Sequence, residues 1–417
     1  MSDIPGKRLI VFAFGISPPG SMGGNSKIAL ELIRAHSRQH QVVVLSSDDK
    51  RPTFERNIEL TEGLRLHTVP TFRGNRMLHP IREAMHYARL AKPVLAAVGA
   101  NENDVVYSCS DFLLDVLPAF LLKPAFRFVW APSLFLFVPF ITENVRHQYG
   151  FPVLKYALYY VYQRSIFRLI KMRGDLFVIT SDCDRRHFPK RLQPHVFAFY
   201  GGVNVEQIQV AESVARPDPD RRRDVVFCGR LHPQKGIDAF LDVWRRVLDA
   251  LPDARLTVIG NGTAGYERML KRKADRLGIA ARVDWLGYVN NEEKYAVYLS
   301  ARVFVHPTVY DNNGMVAAEA LCSGLPVVMY DLPNLRSVYS VGCTKVRERD
   351  GAAFAAALIR LLSDPAACAS DRPSSGAVQE LRNHWSWQTR VRRFEEFLES
   401  QVPVVAEGQA VSGRACP

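Results

Sequence analysis

The sequence predicts an α/β protein built from two doubly wound parallel-sheet domains that face one another across a cleft. Three observations carry this. Short β-branched or aromatic runs recur along the whole chain and are apolar throughout, as strands covered on both faces are. Amphipathic stretches of helical period separate them. The rhythm breaks once, near 201–223, and then restarts.

In the first half the strands are expected at Leu9–Phe14, Gln41–Ser46, Leu64–Val69, Asp104–Cys109, Arg127–Trp130, Leu176–Thr180 and Val196–Phe199. Gly23-Gly24 turns the chain into a helix over 25–39. The break opens with the turn-like Tyr200-Gly-Gly-Val-Asn204 and continues through the Pro-rich polar stretch Ala215–Asp224. In the second half the strands fall at Asp224–Cys228, Arg255–Ile259, Arg282–Leu286, Val303–His306, Pro326–Tyr330 and Thr344–Arg347. Ile237–Ala250 is the clearest helix, with Ile237, Phe240, Leu241, Trp244, Val247 and Leu248 on one stripe. A last helix follows over Trp387–Ser400, and the small, polar tail 401–417 is expected to be disordered. Two such series in tandem make two Rossmann-like domains.

Composition bounds the rest. A chain of 417 residues, 47% hydrophobic and 23% charged, buries large cores without metals or disulfides. Its seven scattered cysteines contain no Cys-x-x-Cys pair, which argues against a disulfide framework or zinc ribbon and fits a reducing cytoplasm. The start of the chain lacks the cationic and long apolar regions of an export signal. The uncharged run Phe128–Thr142 is shorter than the ~20 residues a spanning helix needs, and Pro132 and Pro139 interrupt it. The net charge of +12 points to a polyanionic partner: nucleic acid, anionic lipid or a phosphorylated substrate.

Two segments carry chemistry. Cys228-Gly-Arg-Leu-His-Pro-Gln-Lys-Gly236 follows a strand and precedes a helix, so Arg230 and Lys235 emerge at the sheet edge where doubly wound domains bind ligands. Two cations near a helix N-terminus suit a diphosphate; a solvated basic loop is the plainer alternative. Asp311-Asn-Asn-Gly-Met-Val-Ala-Ala-Glu319 runs from a loop into a helix over about 314–323. Asp311 and Glu319 are spaced to reach successive hydroxyls of an extended sugar ligand. Glu319 in an apolar helix demands a partner, because burying a lone carboxylate is costly; an exposed face or a structural ion pair would also answer.

With these residues in view, the chain resembles a retaining GT-B glycosyltransferase of the GT4-like (glycosyltransferase group 1) family. The resemblance rests on Gly229-Arg-Leu-x-x-x-Lys-Gly236, Val258-Ile-Gly-Asn-Gly262, Trp285-Leu-Gly-Tyr-Val289 and the acid-x7-Glu element followed by Ala320-Leu-Cys-Ser-Gly-Leu-Pro-Val-Val328. It is densest over about 225–365. It implies a first, acceptor-side domain over 1–203, a nucleotide-sugar-binding domain over 204–384 and a helix 385–400 packing back on the first. It further implies that Arg230 and Lys235 hold the donor diphosphate, with Asp311 near the transferred sugar and Glu319 on the ribose. Gly23, Gly24, Gly229, Gly262, Tyr288, Val289, Asn312, Asn313, Gly314, Met315 and Val316 complete the expected donor site. The co-substrate would be a nucleoside-diphosphate sugar, the acceptor a hydroxyl of a glycan or lipid-linked saccharide, and neither metal nor cofactor would be needed.

The sequence also departs from the family's pattern. The first acid is Asp311 rather than glutamate, Asn312-Asn313 replaces a common Gly-Phe, and Ala131-Pro-Ser133 follows the fifth strand where many members carry histidine. Subfamily drift and altered sugar specificity or lost activity both account for this, so a non-catalytic glycosyltransferase-like subunit remains as a rival, beside another GT-B enzyme such as a nucleotide-sugar epimerase. Gly260-Asn-Gly-Thr-Ala-Gly265 with Asp284 also fits a dinucleotide fingerprint, and Asp218-Pro-Asp220 a metal motif in the Pro-rich stretch. His232 and His306 are the histidines nearest the expected site.

Residues 146–173 interleave Tyr149, Phe151, Tyr156, Tyr159, Tyr160, Tyr162 and Phe167 with Arg146, Lys155, Arg164, Arg168, Lys171 and Arg173. Such a helix suits an anionic membrane surface, which would place the protein peripherally on the inner face of the membrane. A core-facing helix with a basic outer side is equally consistent. Single-stranded nucleic acid could use the same features, but nothing resembles a nucleic-acid module.

Overall fold

The computed structural model describes residues 8–18, 23–59, 61–74, 79–140, 142, 153–214 and 223–401. Residues 215–222, with Asp218 and Asp220, and the tail from 402 lie outside them.

Two parallel sheets follow one another. The first contains β1 (Leu9–Phe12), β2 (Val42–Ser47), β3 (Leu64–Val69), β4 (Val105–Ser108), β5 (Val129–Leu134), β6 (Phe177–Ile179) and β7 (Val196–Ala198), in the order β3-β2-β1-β4-β5-β6-β7. The second contains β8 (Arg223–Cys228), β9 (Leu256–Ile259), β10 (Val283–Gly287), β11 (Ala301–His306), β12 (Val327–Tyr330) and β13 (Cys343–Val346), in the order β10-β9-β8-β11-β12-β13. In both, the order reverses beside the first strand, and loops at the C-terminal strand ends there form the crevice where such sheets take ligands.

Burial on both faces explains why the strands read as unbroken apolar runs. Ile10 and Phe12 join the core beneath helices Pro80–Ala97, Leu113–Phe126 and Val153–Arg173. Leu9 and Val11 join the opposite core, under helices Gly24–His36 and Trp387–Gln401. The last helix therefore completes the first domain, with Phe394 packed edge-on against Tyr107 and Phe199 and tilted against Phe197. The chain crosses between domains twice, and the crossings lie side by side: Val203 bridges Ser386, and a Cβ on Gly202 would enter the Trp387 ring. Among the described residues no single helix is long and apolar enough to cross a membrane.

The fifth strand differs from expectation. Arg127 is not extended: it closes helix Leu113–Phe126 in the left-handed conformation, φ 60°. The strand instead runs from Val129 through Ala131-Pro-Ser133 to Leu134. Pro132 is tolerated because it stands where pairing with β4 ends and pairing with β6 begins, so its missing N–H breaks neither ladder in mid-run.

Candidate active site

The ends of β8 and β11 deliver the two chemical segments to one place. After β8, Gly229–His232 leads into the single turn Pro233–Lys235 and then helix Ile237–Ala250. Gly236 joins turn to helix at φ 71°, and a Cβ there would collide with the Pro307 carbonyl, so only glycine permits the approach. That approach sets Lys235 Nζ 2.6 Å from Asp311 Oδ2. His306, the buried last residue of β11, places Nε2 3.3 Å from the same oxygen, off the hydrogen-bonding direction. Asp311 Oδ1 accepts from the Asn313 and Gly314 N–H groups at 3.3 Å each. Gly314, at φ 59°, caps helix Met315–Cys322, so the carboxylate lies at a helix N-terminus.

The electrostatics follow. Burial alone would raise the Asp311 pKa, but the Lys235 ammonium and His306 overcome it and hold the carboxyl well below its ordinary range. Burial keeps His306 below its ordinary value in spite of Asp311. Arg230 is exposed, with no hydrogen bond or ion pair among the described residues. One cation is thus engaged by an acid and the other is open to a ligand. A Cβ on Gly229 would meet nothing nearer than 3.6 Å, so the protein's own packing does not demand glycine beside Arg230.

Glu319 is buried, and each of its oxygens meets a lysine. Lys27 Nζ, from the first domain's leading helix, donates to Oε1 at 2.9 Å, and Lys294 Nζ, from helix Asn291–Leu299, to Oε2 at 2.8 Å. Burial opposes ionisation, yet the two ammonium groups hold the Glu319 carboxyl down to about 2. Of the alternatives open for this residue, the structure displays an ion pair, and one partner comes from across the cleft.

The other expected donor residues divide into two groups. Gly24 approaches Met315: a Cβ would stand 3.5 Å from its methyl, which brings the first domain's helix N-terminus against the second domain. Gly23 caps that helix, its N–H donating to Ser17 Oγ at 3.1 Å. Asn313 and Val316 flank Gly314 and Met315 on the same loop and helix. Asn312, by contrast, commits its amide to the first domain, donating to Asp184 Oδ2 at 2.6 Å and the Phe135 carbonyl at 2.9 Å while accepting from Asn334. Tyr310 donates to the Phe137 carbonyl beside it. Burial raises Asp184 to about 6, although Asn312 and Arg186 pull the other way.

Gly260 and Gly262 back onto the phosphate-loop candidate, where side chains would strike the Gly229 and Leu231 carbonyls. The dinucleotide reading fails on this point, since backbone already fills the space a pyrophosphate needs. Asp284 instead pairs with Arg255 at 3.8 Å. The Gly260 N–H donates to the Gly287 carbonyl at 2.7 Å, placing exposed Tyr288 and half-buried Val289 on the adjoining turn.

Lys27, Lys294, Asp184 and Tyr339 were not anticipated. Tyr339 donates to the Asn313 and Gly314 carbonyls at 2.7 and 2.9 Å, fixing the loop that presents Asp311. Only Lys294 left a sequence signal, as a cation in an otherwise inward-facing stretch with Tyr295 and Tyr298. Across the cleft, Asp115 accepts from the Phe14 and Gly15 N–H groups at 2.7 and 3.1 Å. Asp111 accepts from Gln163 at 2.9 Å, and burial raises both carboxyls to about 6.

Two facing Rossmann-like lobes with this loop-and-helix arrangement define the GT-B fold. Over residues 222–364 the chain matches the family described as glycosyl transferases group 1. It is 30% identical over 240 residues to a phosphatidyl-myo-inositol mannosyltransferase of Mycobacterium leprae, a match covering 57% of this chain and 60% of that protein. It is 30% identical over 168 residues to a glycogen synthase of Mycobacterium tuberculosis, covering 40% of each. The matched region is thus well short of the relatives' full length. Sucrose-phosphate synthase from Thermosynechococcus elongatus superposes with a TM-score of 0.76 at 17% identity, over 94% of this chain and 98% of that one. HepE of Anabaena in complex with UDP-glucose gives 0.69 at 14%, over 94% and 99%. These two likenesses concern the fold.

Proposed function

We propose that the protein transfers a hexose from a nucleoside-diphosphate sugar to a hydroxyl of a glycan or lipid-linked saccharide, with retention and without a metal. The observation carrying this is the Lys235–Asp311 pair at the N-terminus of helix Met315–Cys322, with Arg230 unpaired beside it. Arg230 and Lys235 take the diphosphate and Asp311 orients the sugar. As the anomeric carbon–oxygen bond breaks, negative charge grows on the departing phosphate oxygen, where a fixed ammonium stabilises it. The acceptor oxygen bonds to that carbon on the face the diphosphate leaves, and its proton passes to the diphosphate. Basic side chains and helix N-termini do here what a divalent ion does elsewhere. Glu319, on this reading, exchanges an ammonium contact for ribose hydroxyls.

A membrane-borne acceptor gains support from helix Val153–Arg173. It turns Tyr156, Ile166, Phe167 and Ile170 into the core, yet leaves Leu154, Leu158, Val161 and Met172 at least 62% exposed. Exposed Arg168 lies on the same outer side, and half-buried Arg164, Lys171 and Arg173 flank it. An outward apolar stripe among cations is what a peripheral enzyme lays on anionic lipid. The mannosyltransferase relative is named for a phospholipid acceptor, which agrees. Arg146, Tyr149 and Phe151 lie outside the described residues.

The experiment is a panel of nucleoside-diphosphate sugars scored by thermal shift, then transfer assays with the best donor. A donor at 100 times its Kd stabilises by about 2.7 kcal/mol. Stabilisation by none of them, or hydrolysis and epimerisation without need of an acceptor, would overturn the proposal.

A further inference from the structure

A cavity of about 650 Å³ lies behind the cleft, at the double crossing between the domains. Its walls come from the end of the first sheet with the linker at Tyr200, the loop around Tyr339, and the helices on either side of Ser386. None of Arg230, Lys235, Asp311 and Glu319 lines it. Arg390 does, and its side chain is in an unusual position. The residue is 4% exposed, and neither Nε nor Nη2 has a hydrogen-bond partner among the described residues.

Two rings account for part of this. The guanidinium carbon lies 4.4 Å from the Trp385 ring centre and 5.6 Å from that of Tyr200. Aromatic faces attract a cation, but they leave its in-plane N–H groups with nothing to receive them. A buried guanidinium with idle donors is costly, so an acceptor is missing from the account. Arg393 adds a second cation to the lining, and His384 is held down to about 4 by burial and by the charges of Arg390 and Arg393. Exposed Glu380 is the one carboxylate among the described lining residues.

We propose that this cavity is a binding site for a small soluble phosphomonoester. Both nitrogens are closed to solvent here, so on binding the Arg390 side chain turns to offer its parallel N–H groups to two oxygens in a forked pair, the geometry that suits phosphate. Arg393 balances the second negative charge. The volume exceeds what a bare phosphate needs and falls within the range of small-molecule sites, leaving room for an organic moiety. The site is also placed to report on the catalytic loop. Trp385 stacks on Tyr339 at 5.4 Å, and the Tyr339 hydroxyl grips the Asn313 and Gly314 carbonyls. The proposal stands independently of which sugar or acceptor the cleft uses.

Glycerol 3-phosphate is the probe, titrated into the full chain in phosphate-free, low-salt buffer and read by thermal shift and calorimetry. Wild type and Lys235→Ala are both expected to bind and gain stability, whereas Arg390→Met weakens binding by about tenfold or more. Should Arg390→Met fail to fold, Ser340→Glu, on an exposed lining residue, is expected to weaken binding through repulsion. Absence of binding by wild type up to about 10 mM overturns the proposal. So does loss of binding in Lys235→Ala, or its full retention in both Arg390→Met and Ser340→Glu. Binding to phosphatidate vesicles, with none to glycerol 3-phosphate, overturns the assignment to a soluble ligand.

Discussion

Lys27 and Glu319 stand 292 positions apart in the chain, yet the ammonium of one lies 2.9 Å from the carboxylate of the other across the cleft. With Lys294 on the second oxygen, the three charges form a buried triad that ties the leading helix of one domain to helix Met315–Cys322 of the other.

Glu319→Ala strands two largely buried ammonium groups and is expected to destabilise the fold by about 3–5 kcal/mol. Glu319→Gln, which keeps hydrogen-bond acceptors, loses less. Urea unfolding of both, with Lys27→Met in a double-mutant cycle, measures the coupling. A coupling near zero between Lys27 and Glu319 would contradict the contact.

Lys235→Ala and Arg230→Ala separate two roles. Each is expected to lower transfer by roughly 10²–10³-fold if both cations meet the diphosphate. Arg230 is exposed and unpaired among the described residues, so its loss leaves unfolding unchanged, within ±0.5 kcal/mol or so. Lys235→Ala also leaves Asp311 without its ammonium and destabilises measurably. Equal stability of the two variants would show that the Lys235–Asp311 pair carries no weight.

Domain closure is expected to depend on pH through Asp184. Its carboxyl lies at about 6 with Asn312 docked, because burial raises it. Separating the domains rehydrates it and returns it toward ~4. Protonation therefore favours the closed form: the effect is complete below the open-state value and disappears as pH rises through about 6. Small-angle scattering between these limits is expected to show a compact form giving way to a wider one. Asp184→Asn should flatten that response.

Glu319 has the opposite sign. Its folded value of about 2 is below the ordinary 4.5, so its contribution is present above 4.5 and declines as pH falls toward 2. Acid unfolding of Glu319→Gln is expected to lack this segment of the curve.

Leu158→Glu tests the outward stripe. The side chain is 66% exposed, so stability should barely change, while affinity for anionic vesicles at low salt drops severalfold. Equal vesicle binding by wild type and variant would remove the membrane from the account.

The architecture was legible because its signals are local. Apolar strands, helical stripes and the Gly236 turn each declare themselves within a few residues, and the Lys235–Asp311 pair follows once two neighbouring strand ends are recognised. What escaped depends on distance in sequence or on which way a side chain turns. Nothing near Lys27 marks it as the partner of Glu319, and nothing near Asn312 marks it as a cross-domain contact. Arg127 read as strand because apolar residues follow it, whereas a left-handed helix end is set by the backbone. Helix Val153–Arg173 is apolar on more than one side, so periodicity alone could not tell its buried face from its outer one.

The clasp of Asn312 on Asp184 and the Phe135 carbonyl, beside Tyr310 on Phe137, has a kinetic corollary. A donor that must wait for these contacts to part encounters a shut doorway whenever they are formed. Its observed association rate should climb with concentration and then level off at the unlatching rate, whatever the encounter frequency.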